Sequence, residues 1–310
     1  MIIKNYIKKI EPVEMHCPEC CSILIIIKND KTITFYKCCI GNAEDEKLRT
    51  ITFDEMYSQP DPFNYLISLN KIFAPNHNFD LPQKYKHYCN GTKKCNYIHN
   101  KIDTLQLCVT GCNLNCIKCP LEKTIDKDAN DMYWYLMESI KNHNLWDIHP
   151  TCNGEPFLQK EKMMNYIRAL TSRDCRNFNI ISNGTLLNEI DINEIALIKK
   201  NNDVNIPITI SCDSTNVDVY CKIHKNANQK MFNTVMDNIF LLQKYNLLSA
   251  VNIVIQPENM DVIYKDLEFW KNNNIKFRVF PIRYYTDRAE KVEELRKQIQ
   301  KDFPENYSDA

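Results

Sequence analysis

Val109-Thr-Gly-Cys-Asn-Leu-Asn-Cys-Ile-Lys-Cys-Pro120 carries the three cysteines on which the reading of this chain turns: Cys112, Cys116 and Cys119. Three thiolates bunched on so short a loop can hold three irons of a [4Fe-4S] cube and leave the fourth iron without a protein ligand. An open metal position is where a substrate or cofactor binds directly. Two plainer uses of the triplet stand beside this one. A zinc knuckle would need a fourth ligand, which Cys108 or His99 could supply, and the three could also be buried structural thiols.

Outward from the loop, strand-like and helix-like segments alternate. Thr104–Val109 reads as a short apolar strand running straight into the cysteines. Asp131–His143 has helical spacing, and Asp147–Cys152 returns to strand and ends at Asn153-Gly-Glu-Pro156. Helix is expected at 160–170, strand at 178–182 closed by the turn signal Asn183-Gly184, and helix at 188–200 with Asp191 as N-cap. Then follow strand 205–213, helix 231–245, strand 251–256, helix 262–271, strand 275–281 and a last helix at 290–301. Six β-then-α steps imply parallel strands with right-handed crossovers, an α/β sheet or barrel. In such folds function gathers at the carboxyl ends of the strands. The cysteine loop, the Asn-Gly-Glu-Pro turn, Ser182-Asn183 and Ser211-Cys-Asp213 all fall there.

The composition is that of a soluble globular protein: 310 residues, 44% hydrophobic and 25% charged. A formal net charge of zero predicts no bulk attraction to nucleic acid or anionic membrane. The longest apolar run, Ile23 to Ile27, is too short to span a bilayer, and the start of the chain lacks a signal-peptide core, so a cytoplasmic location is expected. Fifteen cysteines, an odd number, read in a reducing compartment as metal ligands rather than disulfides.

The spacing and the Cys-Asn-Leu-Asn-Cys wording resemble the signature of the radical S-adenosylmethionine (SAM) superfamily. That resemblance implies a partial (β/α)6 barrel over 101–285 and a [4Fe-4S] cluster on Cys112, Cys116 and Cys119. In the family the open iron chelates the amino and carboxylate groups of SAM, and an electron from the cluster cleaves SAM to a 5'-deoxyadenosyl radical that abstracts hydrogen from a substrate. Asn153-Gly154-Glu155-Pro156 resembles the family's Gly-Gly-Glu-Pro turn, which binds the SAM amino group. Ile210-Ser-Cys-Asp-Ser214 followed by Tyr220-Cys-Lys-Ile-His-Lys225 resembles Ser-Ile-Asp-Gly…Tyr-Glu-Lys-Ile-Arg. The resemblance thereby marks Ser211 and Asp213 as cofactor contacts, and Ser182 joins the candidates by its place at a strand's carboxyl end. His224 stands where the family has an arginine that pairs with the SAM carboxylate, and Lys118 where it often has an aromatic residue on adenine.

Strand parity adds Asn252 and Gln256, which with Val254 share the face opposite Val251, Ile253 and Ile255 and should point into the lumen, as should Arg278. Cys212 should face away from it. Cys221, read as lying in a loop near the site, could donate a hydrogen atom to a substrate radical, as in some radical SAM epimerases; otherwise it is inert.

Residues 1–100 carry Cys17, Cys20, Cys21, Cys38, Cys39, Cys89 and Cys95. The polar trio Asn29-Asp30-Lys31 between β-prone runs predicts a hairpin, and Thr52–Ser58 reads as a short helix. Hairpin, Gly-Asn turn, helix and cysteine pair resemble the SPASM/twitch auxiliary-cluster modules of radical SAM enzymes, here ahead of the barrel rather than behind it. A structural zinc ribbon is the alternative for these seven cysteines. Residues 286–310 are expected to form a C-terminal helix and tail. The implied partners are a flavodoxin- or ferredoxin-type electron donor and a substrate, a peptide or protein side chain or backbone, modified or epimerised. A sugar or cyclitol is the second choice, and a non-catalytic Fe-S or zinc protein the reading from another class.

Overall fold

A computed structural model of the chain describes residues 23–37, 47–62, 64–65, 104–108, 111–117, 119, 127–140, 147–149, 154–170, 177–202, 204–281 and 289–304. The expected hairpin opens it. Strands β1 (Ile23–Ile27) and β2 (Thr32–Lys37) pair antiparallel in the register Ile27↔Ile33, with Lys31 in the left-handed region at φ 60° to close the turn. Strand β3 (Lys47–Thr52) pairs antiparallel with β2. The five-residue helix α1 (Phe53–Tyr57) starts at Thr52, whose side chain accepts from the Glu55 N–H.

The α/β portion follows in the order β4 (Thr104–Cys108), α2 (Lys127–Ile140), β5 (Asp147–His149), α3 (Lys160–Leu170), β6 (Asn177–Phe178), β7 (Ile180–Ser182), α4 (Glu189–Asn202), β8 (Ile208–Ser211), α5 (Val217–Ile223), α6 (Gln229–Lys244), β9 (Leu248–Ile255), α7 (Ile263–Asn272), β10 (Phe277–Pro281) and α8 (Ala289–Asp302). Strands β4, β5 and β6 pair parallel, as do β7, β8, β9 and β10. Only Asn179 separates β6 from β7. Phe178 N–H donates to Asn205 O (2.8 Å) and Ile180 N–H to Pro207 O (3.0 Å), so the two short strands run as one along the same neighbour. The result is six parallel strand positions with helical crossovers, the expected (β/α)6 sheet.

On its free side β4 pairs parallel with β1, Ile23↔Leu105 through Ile26↔Cys108, so the hairpin extends the same sheet: β3-β2-β1-β4-β5-β6. Sheet continuity therefore crosses residue 100, where the composition of the sequence divides.

Periodicity explains which faces are buried. In α6 the side chains of Phe232, Val235, Ile239 and Leu242 recur at helical spacing and are all buried, against a sheet face lined by Ile208, Ile210, Val251 and Ile253. Asn228 caps α6 by accepting from the Met231 N–H at 3.0 Å. Helix α4 lies where the sequence placed it, but Asp191 is not its N-cap. Asn188 is its N-cap, with Asp191 N–H donating to Asn188 Oδ1 (3.0 Å), and Asp191 is the reciprocal partner, Oδ2 accepting from the Asn188 N–H (2.9 Å).

Candidate functional site

The cysteine loop leaves β4 through Gly111, whose φ of 106° lies in a region that only glycine enters without strain. Its carbonyl accepts from the Glu155 N–H at 3.0 Å, which joins the loop to the turn after β5. Cys112, Cys116 and Cys119 are each half-buried. Donors converge on two of the three sulfurs. The Leu114 N–H (3.4 Å) and Asn183 Nδ2 (3.5 Å) lie against Cys112 Sγ, and His224 Nδ1 lies 2.8 Å from Cys116 Sγ. Donors aimed at sulfur suit ligating thiolates, which carry negative charge and no proton. Among the described residues no three His, Cys, Asp or Glu side chains converge on a single ion. A cube does not require it, since each cysteine holds a different iron.

Asparagines hold the loop in shape. Asn183 Nδ2 also donates to Asn113 Oδ1 (2.8 Å), Asn113 Nδ2 to Thr185 Oγ1 (2.7 Å), and the Asn115 N–H to Asn226 Oδ1 (2.6 Å). The loop further forms an isolated antiparallel bridge, Cys116↔His224, with Ile117 N–H donating to Ile223 O at 2.9 Å. Sequence reading missed these contacts. The asparagine repetition in Cys-Asn-Leu-Asn-Cys was the available signal, but its partners lie some 70 to 110 residues away.

Glu155, 2% exposed, caps the 3-10 turn Pro156–Gln159. Its Oε1 accepts from the Phe157 N–H (3.1 Å) and Ser182 Oγ (2.8 Å), and its Oε2 from the Asn183 N–H (2.7 Å). Burial outweighs these donors and pushes its carboxyl up to about 7. Glu155, Ser182 and the cysteine loop are thus brought into one hydrogen-bonded assembly at the strand ends. Gly184 completes it. At φ 73° it turns the chain after β7, and a Cβ there would stand 3.2 Å from Ile210 Cγ2. Asn238 of α6 secures the turn by donating to Gly184 O and Leu187 O, both at 2.9 Å.

Beyond β8, Asp213 is fully buried. Its Oδ1 accepts from the Val254 N–H (2.8 Å), its carbonyl accepts from Asn259 Nδ2 (2.8 Å), and its Oδ2 lies 3.4 Å from His224 Nε2. The Tyr220 ring packs tilted against His224, 4.3 Å between centroids, and burial raises its phenol pKa far above the ordinary value. Cys221 lies on α5 rather than in a loop: Asn216 accepts from the N–H groups of Asp218 and Val219, and the seven-residue helix carries Cys221 half-buried against the core. Cys212 is fully buried.

Strand register sets Ser211 beside Asn252 and Asn252 beside Arg278, all three half-buried, in one polar row across β8, β9 and β10. Just past β9, Gln256 is fully buried with neither Oε1 nor Nε2 bonded among the described residues, and Asn252 Oδ1 is likewise without a partner. Buried amides without partners are uncommon and suit a surface that receives a polar ligand or water. Asn153 and Cys17, Cys20, Cys21, Cys38, Cys39, Cys89 and Cys95 lie outside the described residues. No helix among the described residues is long and apolar enough to cross a membrane.

The fold thus carries Cys112, Cys116 and Cys119 on a loop that follows a strand of a parallel α/β sheet. No family model matches the chain. It is 29% identical over 190 residues to a cysteine-type anaerobic sulfatase-maturating enzyme of Clostridium novyi (strain NT), a match covering 55% of this chain and 48% of the relative. It is 25% identical over 166 residues to an uncharacterized protein of Methanocaldococcus jannaschii, covering 51% of this chain and 54% of that one. The chain spans about half the length of these curated relatives. Among solved structures it overlaps one described as native anSMEcpe with bound AdoMet, at TM-score 0.47 and 15% identity over 65% of this chain and 62% of that one. It also overlaps a radical SAM methyltransferase from Sphaerobacter thermophilus, at TM-score 0.40 and 14% identity over 62% and 63%.

Proposed function

We propose that this chain is a radical SAM enzyme acting on a peptide or protein side chain, with Cys112, Cys116 and Cys119 as the ligands of its [4Fe-4S] cluster. When bound, that cluster with SAM at its fourth iron supplies one-electron cleavage of SAM and a radical able to take hydrogen from carbon. The chain's own residues bind and orient. Glu155, fixed by three donors, presents a carboxylate beside the loop where an ammonium group would dock. Ser211, Asn252 and Arg278, with Gln256, supply a polar wall for a polar ligand. The observation that carries the reading is the set of hydrogen-bond donors aimed at the sulfurs of Cys112 and Cys116 on a loop tied directly to the Glu155 turn.

A peptide or protein substrate is favoured by similarity to a relative whose name describes maturation of another protein, a sulfatase. This support is analogy. The N-terminal cysteines are proposed ligands of an auxiliary Fe-S cluster, and a flavodoxin- or ferredoxin-type protein the electron donor. Anaerobic reconstitution followed by dithionite and SAM tests the reading: wild-type protein forms 5'-deoxyadenosine, and the Cys112→Ala, Cys116→Ala, Cys119→Ala triple variant forms none. Cleavage retained by that variant refutes the ligand assignment. Iron well above four per chain supports the auxiliary cluster.

A further inference from the structure

His224 is held more tightly than a sequence position between two lysines would suggest. It is 2% exposed, and four separate contacts fix its ring and backbone. Nδ1 lies 2.8 Å from Cys116 Sγ, Nε2 lies 3.4 Å from Asp213 Oδ2, the Tyr220 ring packs tilted against it, and the Cys116↔His224 bridge locks the two backbones together. Asp213 is itself fixed by the Val254 N–H, so the carboxylate, the imidazole and the sulfur form one line from β9 to the cysteine loop. A ligating thiolate has no proton to give, so the proton of the Nδ1···Sγ contact sits on Nδ1.

We propose that His224 is a positioning residue that donates a hydrogen bond from Nδ1 to the Cys116 sulfur and thereby raises the reduction potential of the cluster that sulfur ligates. The inference rests on the proposed assignment of Cys116 as a cluster ligand. The physical reason is charge. Reduction adds an electron that is shared onto the sulfurs, and a fixed donor aimed at one of them stabilises the reduced state more than the oxidised state. Asp213 Oδ2 stands 3.4 Å from Nε2, on the side of the ring away from the sulfur. This gives His224 a task different from that of the arginine whose place it occupies.

The test uses the full chain, reconstituted anaerobically and titrated without SAM, following the electron paramagnetic resonance of the reduced cluster. His224→Phe keeps a planar ring and removes the donor; it should weaken reduction about tenfold, a shift of about 59 mV to more negative potential for a one-electron couple. His224→Asn places an amide N–H where Nδ1 was and should restore most of the shift. An unchanged potential in His224→Phe at wild-type iron content overturns the proposal. Should the Phe variant fail to take up iron, wild-type protein labelled with 15N-histidine decides: a histidine nitrogen coupled to the reduced cluster supports the hydrogen bond, and its absence overturns it. Wild-type protein that binds no cluster refutes the cluster assignment itself, a result separable from either.

Discussion

Glu155 accepts three hydrogen bonds across its two carboxylate oxygens but is only 2% exposed, and burial wins the contest over its proton. Its carboxyl titrates near 7 when folded, against an ordinary value of 4.5. Below about pH 4.5 it is protonated in both folded and unfolded chains and has no effect on their balance. Between 4.5 and 7 only the folded state keeps the proton, so this group's contribution to stability falls steadily as pH rises through that window, by up to about 3 kcal/mol. Denaturant unfolding at pH 5 and pH 8 should therefore show a smaller pH difference in Glu155→Gln than in wild type. Gly184 offers a second residue-scale test. Gly184→Ala must adopt φ near 73° and push against Ile210, at a cost of about 1–2 kcal/mol read from the same unfolding curves.

At the scale of elements, the site is held by helices reaching into loops. Asp266 of α7, 2% exposed, accepts from Ser214 Oγ (2.7 Å), the Thr215 N–H (3.0 Å) and Thr215 Oγ1 (2.5 Å), and so anchors the loop between β8 and α5. Asp266→Ala leaves those donors without their acceptor and should cost about 2–4 kcal/mol. Because that loop leads into the helix bearing Tyr220 and His224, the same change should reduce cluster retention, measured as iron per chain after desalting. Helix α5 was itself illegible beforehand. Val217, Val219 and Ile223 are β-branched and weak helix formers, so Asn216 as cap and packing against α6 decide its shape. The longer helices α3, α6 and α7 were legible, because an apolar face at period 3.6 survives in sequence whatever the helix packs against.

At the scale of the whole molecule, the hairpin shares a sheet with the strand that feeds the cysteine loop. Removing residues 1–60 would take β1 away from β4 and expose the backbone groups that now pair Ile23–Ile26 with Leu105–Cys108. The shortened chain should aggregate or lose its cooperative transition, which light scattering and thermal unfolding would show; a soluble, cooperatively folding product with full iron content would refute this dependence. The hairpin turn was readable from Asn29-Asp30-Lys31. Its parallel partner was not, since nothing local records a pairing across some 80 residues.

The sequence by itself determined the alternation of strand and helix, the parallel α/β class and the three-thiol loop, since these depend on local periodicity, turn chemistry and cysteine spacing. Tertiary structure alone decided that His224 meets Cys116, that Asn183 reaches Cys112, and that Glu155 braces Ser182. Side chains from different strand ends meet because parallel strands with helical crossovers all end on the same rim. That geometry belongs to the folded chain as a whole and leaves no short-range mark in the order of its residues.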